Sequence, residues 1–173
     1  MDAYEAIATK LDVRSFARKT VPAGTKRKIL EAARLTGSSM NSQHWRFILV
    51  QDRSNLVRLA SDSTSGSWVA KADFAVIVLT DPKVPGYRND AGRALQDMQV
   101  AAWNFGVASG IFTGIRQDAL RGDFAVPKGL EVSAVLGFGY PAVRILGRKD
   151  RKPVEELVFA EKYGRPFSEA GLS

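Results

Sequence analysis

Ser38-Ser39-Met40-Asn41-Ser42-Gln43-His44-Trp45 runs directly into Arg46-Phe47-Ile48-Leu49-Val50. Hydroxyl and amide side chains fill the first part and an apolar run the second, so a polar loop delivers the chain into a strand. Gly37 stands before the loop and ends an apolar-patterned helix. Small polar residues dominate turns generally, because they hydrogen-bond their own backbone. On composition alone a plain capping loop is the stronger reading. The other reading is a loop that displays a few fixed hydrogen-bonding groups beside an apolar wall, as a flat ring with a heteroatom edge requires.

Outward from this loop the chain alternates between helical and extended patterns. Asp2 to Thr9 reads as a short helix. Pro22 suits a first helical turn and opens a second helix with Ile29, Leu30 and Ala33 on one stripe. Phe47 to Val50 reads as a strand covered on both faces, Arg53 to Ala60 as a helix, and Phe74 to Leu79 as a second buried strand stopped by Asp81-Pro82. The longest helix runs from Asp90 to about Ala108, with Ala91, Leu95, Met98, Ala102 and Phe105 recurring at helical spacing. Ala94, Ala101 and Ala108 add small residues beside the stripe. Trp103 falls off it, so this helix is either central in its own fold or shared with a second subunit. Ile111-Phe112 and Val132 to Leu136 supply further strands, and Gly137, Gly139 and Pro141 turn the chain. Such alternation implies an α/β or α+β class.

The 173 residues are most simply one domain, 1–173, with 45% hydrophobic residues for its core. No run of about 18 apolar residues suits a membrane span. The acidic start, Met1-Asp2-Ala3-Tyr4-Glu5, lacks the layout of a signal peptide. Absence of cysteine removes disulfides, thiolate nucleophiles and cysteine metal sites. A cytoplasmic protein is expected. The single histidine, His44, has no identifiable partner for a catalytic triad and no second histidine for zinc. It reads as an exposed loop residue, with a ligand contact as the lesser alternative. The net charge of +7 is concentrated in Lys10, Arg14, Arg18 and Lys19 and in Arg144, Arg148, Lys149, Arg151 and Lys152. Such a balance suits a solvated face, an anionic ligand or nucleic acid. No nucleic-acid-binding signature accompanies it, which leaves a basic nucleic-acid module as the weaker functional reading.

Four segments together resemble the FMN-dependent nitroreductase family. Ser38 to Phe47 is similar to the family's Ser-Ser-x-Asn-x-Gln-Pro-Trp-x-Phe, with His44 in place of proline. Counting back from Val21-Pro22 sets Lys10, Leu11, Asp12, Arg14 and Phe16 on the family's Arg-Arg-Ser-x-Arg-x-Phe. Gly106-Val107-Ala108-Ser109-Gly110-Ile111-Phe112-Thr113-Gly114 and Gly137-Phe138-Gly139-Tyr140-Pro141 follow in the same order. The resemblance covers nearly the whole chain.

It implies an α+β fold, a central mixed sheet flanked by helices, and a homodimer with FMN at its interface. Lys10 and Arg14 would approach the FMN phosphate, where a dianion favours multi-donor cations. Asp12 stands at the serine position. It would repel phosphate and is expected to accept from the flavin or its ribityl chain, or to orient Arg14. Lys149-Asp150-Arg151 resembles a second phosphate clamp, Lys-x-Arg before a proline, here Pro153. Which of Arg148, Lys149, Arg151 and Lys152 points inward stays open. Ser38, Ser39 and Asn41 would reach the flavin bound mainly by the other subunit. Phe112, Thr113 and Gly114 would lie against the ring, with Thr113 and Gly114 offering backbone amides. An ordinary glycine-bounded core strand is the alternative for that stretch. Trp68 either shapes the substrate side of the ring or anchors a loop, the second being narrowly preferred. Trp45 reads as core.

The implied activity is hydride transfer from NADH or NADPH through FMN to an electron-poor acceptor such as a nitroaromatic or quinone, by a ping-pong scheme. No catalytic side chain and no metal is needed, because the cofactor carries the chemistry. The family also contains a flavin-cleaving synthase that makes 5,6-dimethylbenzimidazole, and the short chain and Asp12 are compatible with it.

Overall fold

The computed structural model describes residues 1–145 and 147–168. Four strands form one sheet in the order β1-β2-β4-β3, where β1 is Arg46–Val50, β2 Phe74–Thr80, β3 Ala108–Phe112 and β4 Glu131–Gly139. All three strand pairs are antiparallel. The parallel component is a single bridge, Asp12 to Ser109, laid along the outer edge of β3.

Helices cover both faces. α1 (Ala3–Thr9), α2 (Ala23–Leu35) and α4 (Tyr87–Asn104) belong to one side. The other side carries α3 (Arg53–Ser61), α5 (Gln117–Asp123) and a short 3-10 turn, Ser67–Lys71. α6 (Val154–Leu157) lies in the C-terminal segment. β2 explains the two-sided arrangement. Side chains of a strand alternate between faces. Phe74, Val76 and Val78 accordingly join Ile29, Ala94, Met98 and Phe138, whereas Ala75, Ile77 and Leu79 join Leu56, Leu59 and Leu120. Each large apolar side chain fully buried in this way contributes roughly 1.5–3 kcal/mol. Phe74 and Phe138 are register partners, and their rings stack at 4.8 Å.

Several boundaries and roles differ from the sequence reading. β1 is an edge strand that packs on both faces, Phe47 on one core cluster and Ile48 and Val50 on the other, but incompletely, with Arg46 and Leu49 exposed. α4 begins at Tyr87, after Gly86 in the left-handed region (φ 78°), and ends at Asn104. Gly106, also left-handed, releases the chain into β3, so Ala108 belongs to the strand. α5 and the Ser67–Lys71 turn are too short for their apolar periodicity to be read. No helix among the described residues is long and apolar enough to cross a membrane.

Candidate functional site

The N-terminal basic segment is tied to the sheet by its backbone. The Val13 N–H donates to the Ser109 carbonyl at 2.8 Å, in register with the Asp12–Ser109 bridge. Asp12 thereby comes within 3.2 Å of the Gln99 side-chain nitrogen, which also donates to Ser109 Oγ at 3.2 Å. Lys10 Nζ closes the chain at 2.5 Å from Asp12 Oδ1. Asp12 therefore pairs with Lys10 and Gln99 and not with Arg14, which the sequence offered as one of two roles beside a flavin or ribityl contact. Gln99 was not anticipated. Its signal was a polar side chain on the buried face of α4, between Leu95 and Ala102.

The C-terminal basic segment meets the same end of the molecule. Lys149 Nζ donates to the Ile7 carbonyl of α1, and Gly147 lies against Leu11. Lys149 is half-buried, while Arg148, Arg151 and Lys152 are exposed. Arg151 donates to the Asp150 carbonyl at 2.6 Å, and Lys152 lies 3.6 Å from Glu156. Among the four cations left open by the sequence, Lys149 is the one that touches the N-terminal segment. Arg14, two residues beyond Asp12, is exposed, with its guanidinium carbon 6.0 Å from the Trp68 ring centre.

The far end of β3 departs from expectation. Phe112 is 4% exposed and meets Trp68 edge-on at 5.7 Å, so its side chain is core and only its backbone can face a ligand. Gly110 and Gly137 are cross-strand partners, and the Trp68 indole lies over both. A Cβ would come within 2.9 Å of the indole at Gly110 and 2.7 Å at Gly137. The close approach these glycines permit is thus to groups of the protein itself, Trp68 at both and the Val13 carbonyl at Gly110. Trp68 acts as the anchor of its loop. Thr113 is exposed just beyond β3, and Gly114 abuts the Thr64 and Ser65 side chains, with its carbonyl accepting from the Thr64 N–H at 2.8 Å.

The Ser38–Trp45 loop docks on the N-terminal turn of α4. Its backbone is strained: Met40, Asn41 and Gln43 all have positive φ, at 53°, 53° and 46°. A left-handed non-glycine residue costs roughly 1–2 kcal/mol, least for asparagine. Such geometry persists only where the surroundings enforce it. Ser38 Oγ accepts from the Gln43 N–H at 3.0 Å across the loop. The Ser39 N–H donates to Asp90 Oδ2 at 2.9 Å, and Ser39 Oγ fills the space where Gly86 lacks a side chain.

His44 is buried, 7% exposed, and not the exposed residue that the sequence suggested. Its Nε2 lies 3.2 Å from Asp90 Oδ2, and its Nδ1 accepts from the Asp81 N–H at 3.3 Å. A backbone N–H can only donate, so Nδ1 carries no proton and Nε2–H is the donor to Asp90. Asp90 itself is 1% exposed. Burial pushes its carboxyl upward, but the Ser39 N–H, the His44 hydrogen bond and the nearby charge of Arg93 outweigh that and hold it below the ordinary value. Sequence reasoning missed Asp90, which lies 46 residues from His44 and looks like an ordinary first-turn acid. In this single chain the loop sits at the start of α4, with no described hydrogen bond or ion pair to Lys10, Arg14 or Lys149.

Among the described residues no group of three or more histidine or acidic side chains could hold a metal ion. Lys10, Arg14 and the Gln99–Asp12 pair thus lie on or beside the segment along the edge of β3, and Lys149 reaches the adjoining α1. Two basic segments are brought together by the fold, an arrangement chemically suited to a phosphorylated ligand.

Residues 7–89 match the sequence profile of the Nitroreductase family. A candidate NADH dehydrogenase/NAD(P)H nitroreductase from Methanothermobacter thermautotrophicus is 32% identical over 151 residues, spanning 82% of this chain and 78% of that protein. One of the same description from Archaeoglobus fulgidus is 30% identical over 150 residues, spanning 81% and 86%. The crystal structure of a candidate nitroreductase from Desulfovibrio desulfuricans in complex with FMN superposes with a TM-score of 0.82 at 26% identity, covering 94% of this chain and 98% of that one.

Proposed function

Because this chain belongs to the nitroreductase family, and is thereby an oxidoreductase, we propose that it is an FMN-dependent NAD(P)H oxidoreductase working as a homodimer. The observation that carries the reading is the Lys10–Asp12 pair at the outer edge of β3, with Arg14 on the same segment and Lys149 fastened to α1 just before it. Lys10, Arg14 and Lys149 would hold the phosphate, with Arg151 at the rim. Lys10 would be oriented for this by Asp12, which Gln99 in turn steadies. Thr113 and Gly114 would offer backbone amides to the ring edge, and Ser38, Ser39 and Asn41 would reach the flavin of the second subunit. The candidate nitroreductase from Desulfovibrio desulfuricans, bound to FMN, supports the choice of cofactor.

When bound, FMN supplies the redox chemistry, taking a hydride from NAD(P)H and passing electrons to an electron-poor acceptor such as a nitroaromatic or quinone in a ping-pong scheme. The protein's part is to bind, to orient and to exclude water, with no side chain required as acid or base. The test is the absorbance spectrum of the purified protein before and after anaerobic NADH or NADPH. A flavin spectrum that bleaches on addition is expected. A colourless protein that takes up no FMN would overturn the reading, as would formation of 5,6-dimethylbenzimidazole from reduced FMN in air.

A further inference from the structure

We propose that His44 and Asp90 form a buried strut that holds the Ser38–Gln43 loop in its ligand-binding shape, making both of them positioning residues for the cofactor. The inference rests on the reading that this loop borders the flavin. Its basis is a continuous set of contacts. The Ser39 amide and His44 Nε2 converge on one oxygen of a carboxylate that is 1% exposed, and the Asp81 amide fixes the other face of the imidazole. Asp90 Oδ1 has no hydrogen-bond partner among the described residues, its nearest cation being Arg93 at 3.7 Å. Both of the carboxylate's described hydrogen bonds therefore serve the loop.

The loop needs such a support. Three of its residues stand in the left-handed region, and only one of them is asparagine. The hydrogen bond from Gln43 to Ser38 closes the turn on itself but does not attach it to the body of the molecule. Attachment comes through Ser39 to Asp90, through the backbone that joins Gln43 to His44, and through an exposed hydrogen bond from the Arg46 guanidinium to the Gln43 carbonyl at 3.1 Å. The strut thus grips the loop at both ends. Where the family motif has proline, a stiff backbone would restrict the loop; here the restriction is transferred to a side-chain hydrogen bond.

The chain's single histidine makes the test direct. In FMN-free, full-length protein labelled with ¹⁵N-histidine, the imidazole at neutral pH is expected to carry its proton on Nε2 and none on Nδ1. A proton on Nδ1 would overturn the strut. His44→Phe, which keeps a ring and removes both nitrogens, is expected to speed hydrogen exchange at the Ser39 amide at least tenfold and to raise the FMN Kd at least tenfold. His44→Gln retains a donor toward Asp90 and is expected to restore both to within about threefold of the parent. Asp90→Asn keeps an acceptor oxygen and should do likewise. If His44→Phe lowers Tm while leaving Ser39 exchange and FMN affinity unchanged, His44 is core filling only and the inference fails. Should that variant not fold, the tautomer and the two conservative variants decide. If the parent protein binds no FMN, the flavin reading fails, while the tautomer and the Ser39 exchange rates still judge the strut.

Discussion

The Ser38–Trp45 loop and the segment after Gly147 are both polar in sequence, yet the fold treats them in opposite ways. The loop is tied to Asp90, 46 positions from His44 and 51 from Ser39 in sequence, and its one ionisable side chain is buried. The C-terminal segment holds chiefly to itself. Phe159 bridges Pro166, the Ala160 N–H donates to the Arg165 carbonyl at 3.0 Å, and Phe159 meets the Tyr163 ring at 4.5 Å. Lys149 and Gly147 fasten its beginning to α1 and Leu11. Beyond them Leu157 is 60% exposed and Tyr163 93%. Polarity in a sequence therefore does not say whether a segment is held. Partners do, and the loop finds them inside the chain, whereas the C-terminal segment presents apolar side chains that suit a second subunit.

The contrast can be broken at several points. Asp90→Ala should have the largest effect, because it leaves the Ser39 amide and His44 Nε2–H without an acceptor at a buried site. A loss of about 2–5 kcal/mol in denaturant unfolding is expected, and a loss under about 0.5 would show that the loop is held otherwise. Arg14→Ala and Lys149→Ala each remove one charge-assisted contact from the proposed phosphate site. A rise in FMN Kd of roughly ten- to a hundredfold is expected for each; unchanged affinity would displace the clamp. Leu157→Asp should shift the concentration dependence of dimer formation in sedimentation runs while leaving the FMN-free fold intact. A strictly monomeric parent that retains FMN would break the shared-site arrangement.

Two pH effects are smaller. The Asp90 carboxyl lies below its ordinary value of 3.8 in the folded chain. Its contribution is therefore complete above the ordinary carboxylate range and is lost as pH falls through the lower folded value. Ser39 amide protection should persist at pH 5 and fail only in strong acid. Asp62 behaves oppositely. Burial pushes its carboxyl up, and the charge of Asp123 adds to the effect. A raised value favours the folded state at low pH, and that advantage is lost as pH rises through it. Asp62→Asn should accordingly raise Tm at pH 7 by about 1–2 °C and leave it unchanged near pH 3.

Much of this arrangement was legible beforehand, for definite reasons. The apolar runs of β2 and β4 and the helical stripe of α4 are long enough for their periods to be read, and they placed the core correctly. The two basic segments, Lys10 to Lys19 and Arg144 to Lys152, were legible as concentrations of charge. What stayed hidden was pairing. His44 has no local partner, so nothing in its neighbours announces Asp90, and Gln99 meets Asp12 only because α4 and the N-terminal segment share β3. Glycine spacing misled in another way. Gly110 and Gly137 signal close approach, but sequence does not name the approaching group.

That group, Trp68, has a consequence for how the chain can change over time. Its indole occupies the volume that a side chain at 137 would need, whereas at 110 the Val13 carbonyl would also stand 2.6 Å from a Cβ. A smaller residue at 68 would leave a void above two bare backbones that only position 137 could fill. Positions 68 and 137, drawn from a loop and a strand, are bound to vary together, and Gly110 is held by Val13 besides. A lineage that loses the tryptophan should be found to have refilled position 137 and kept glycine at 110.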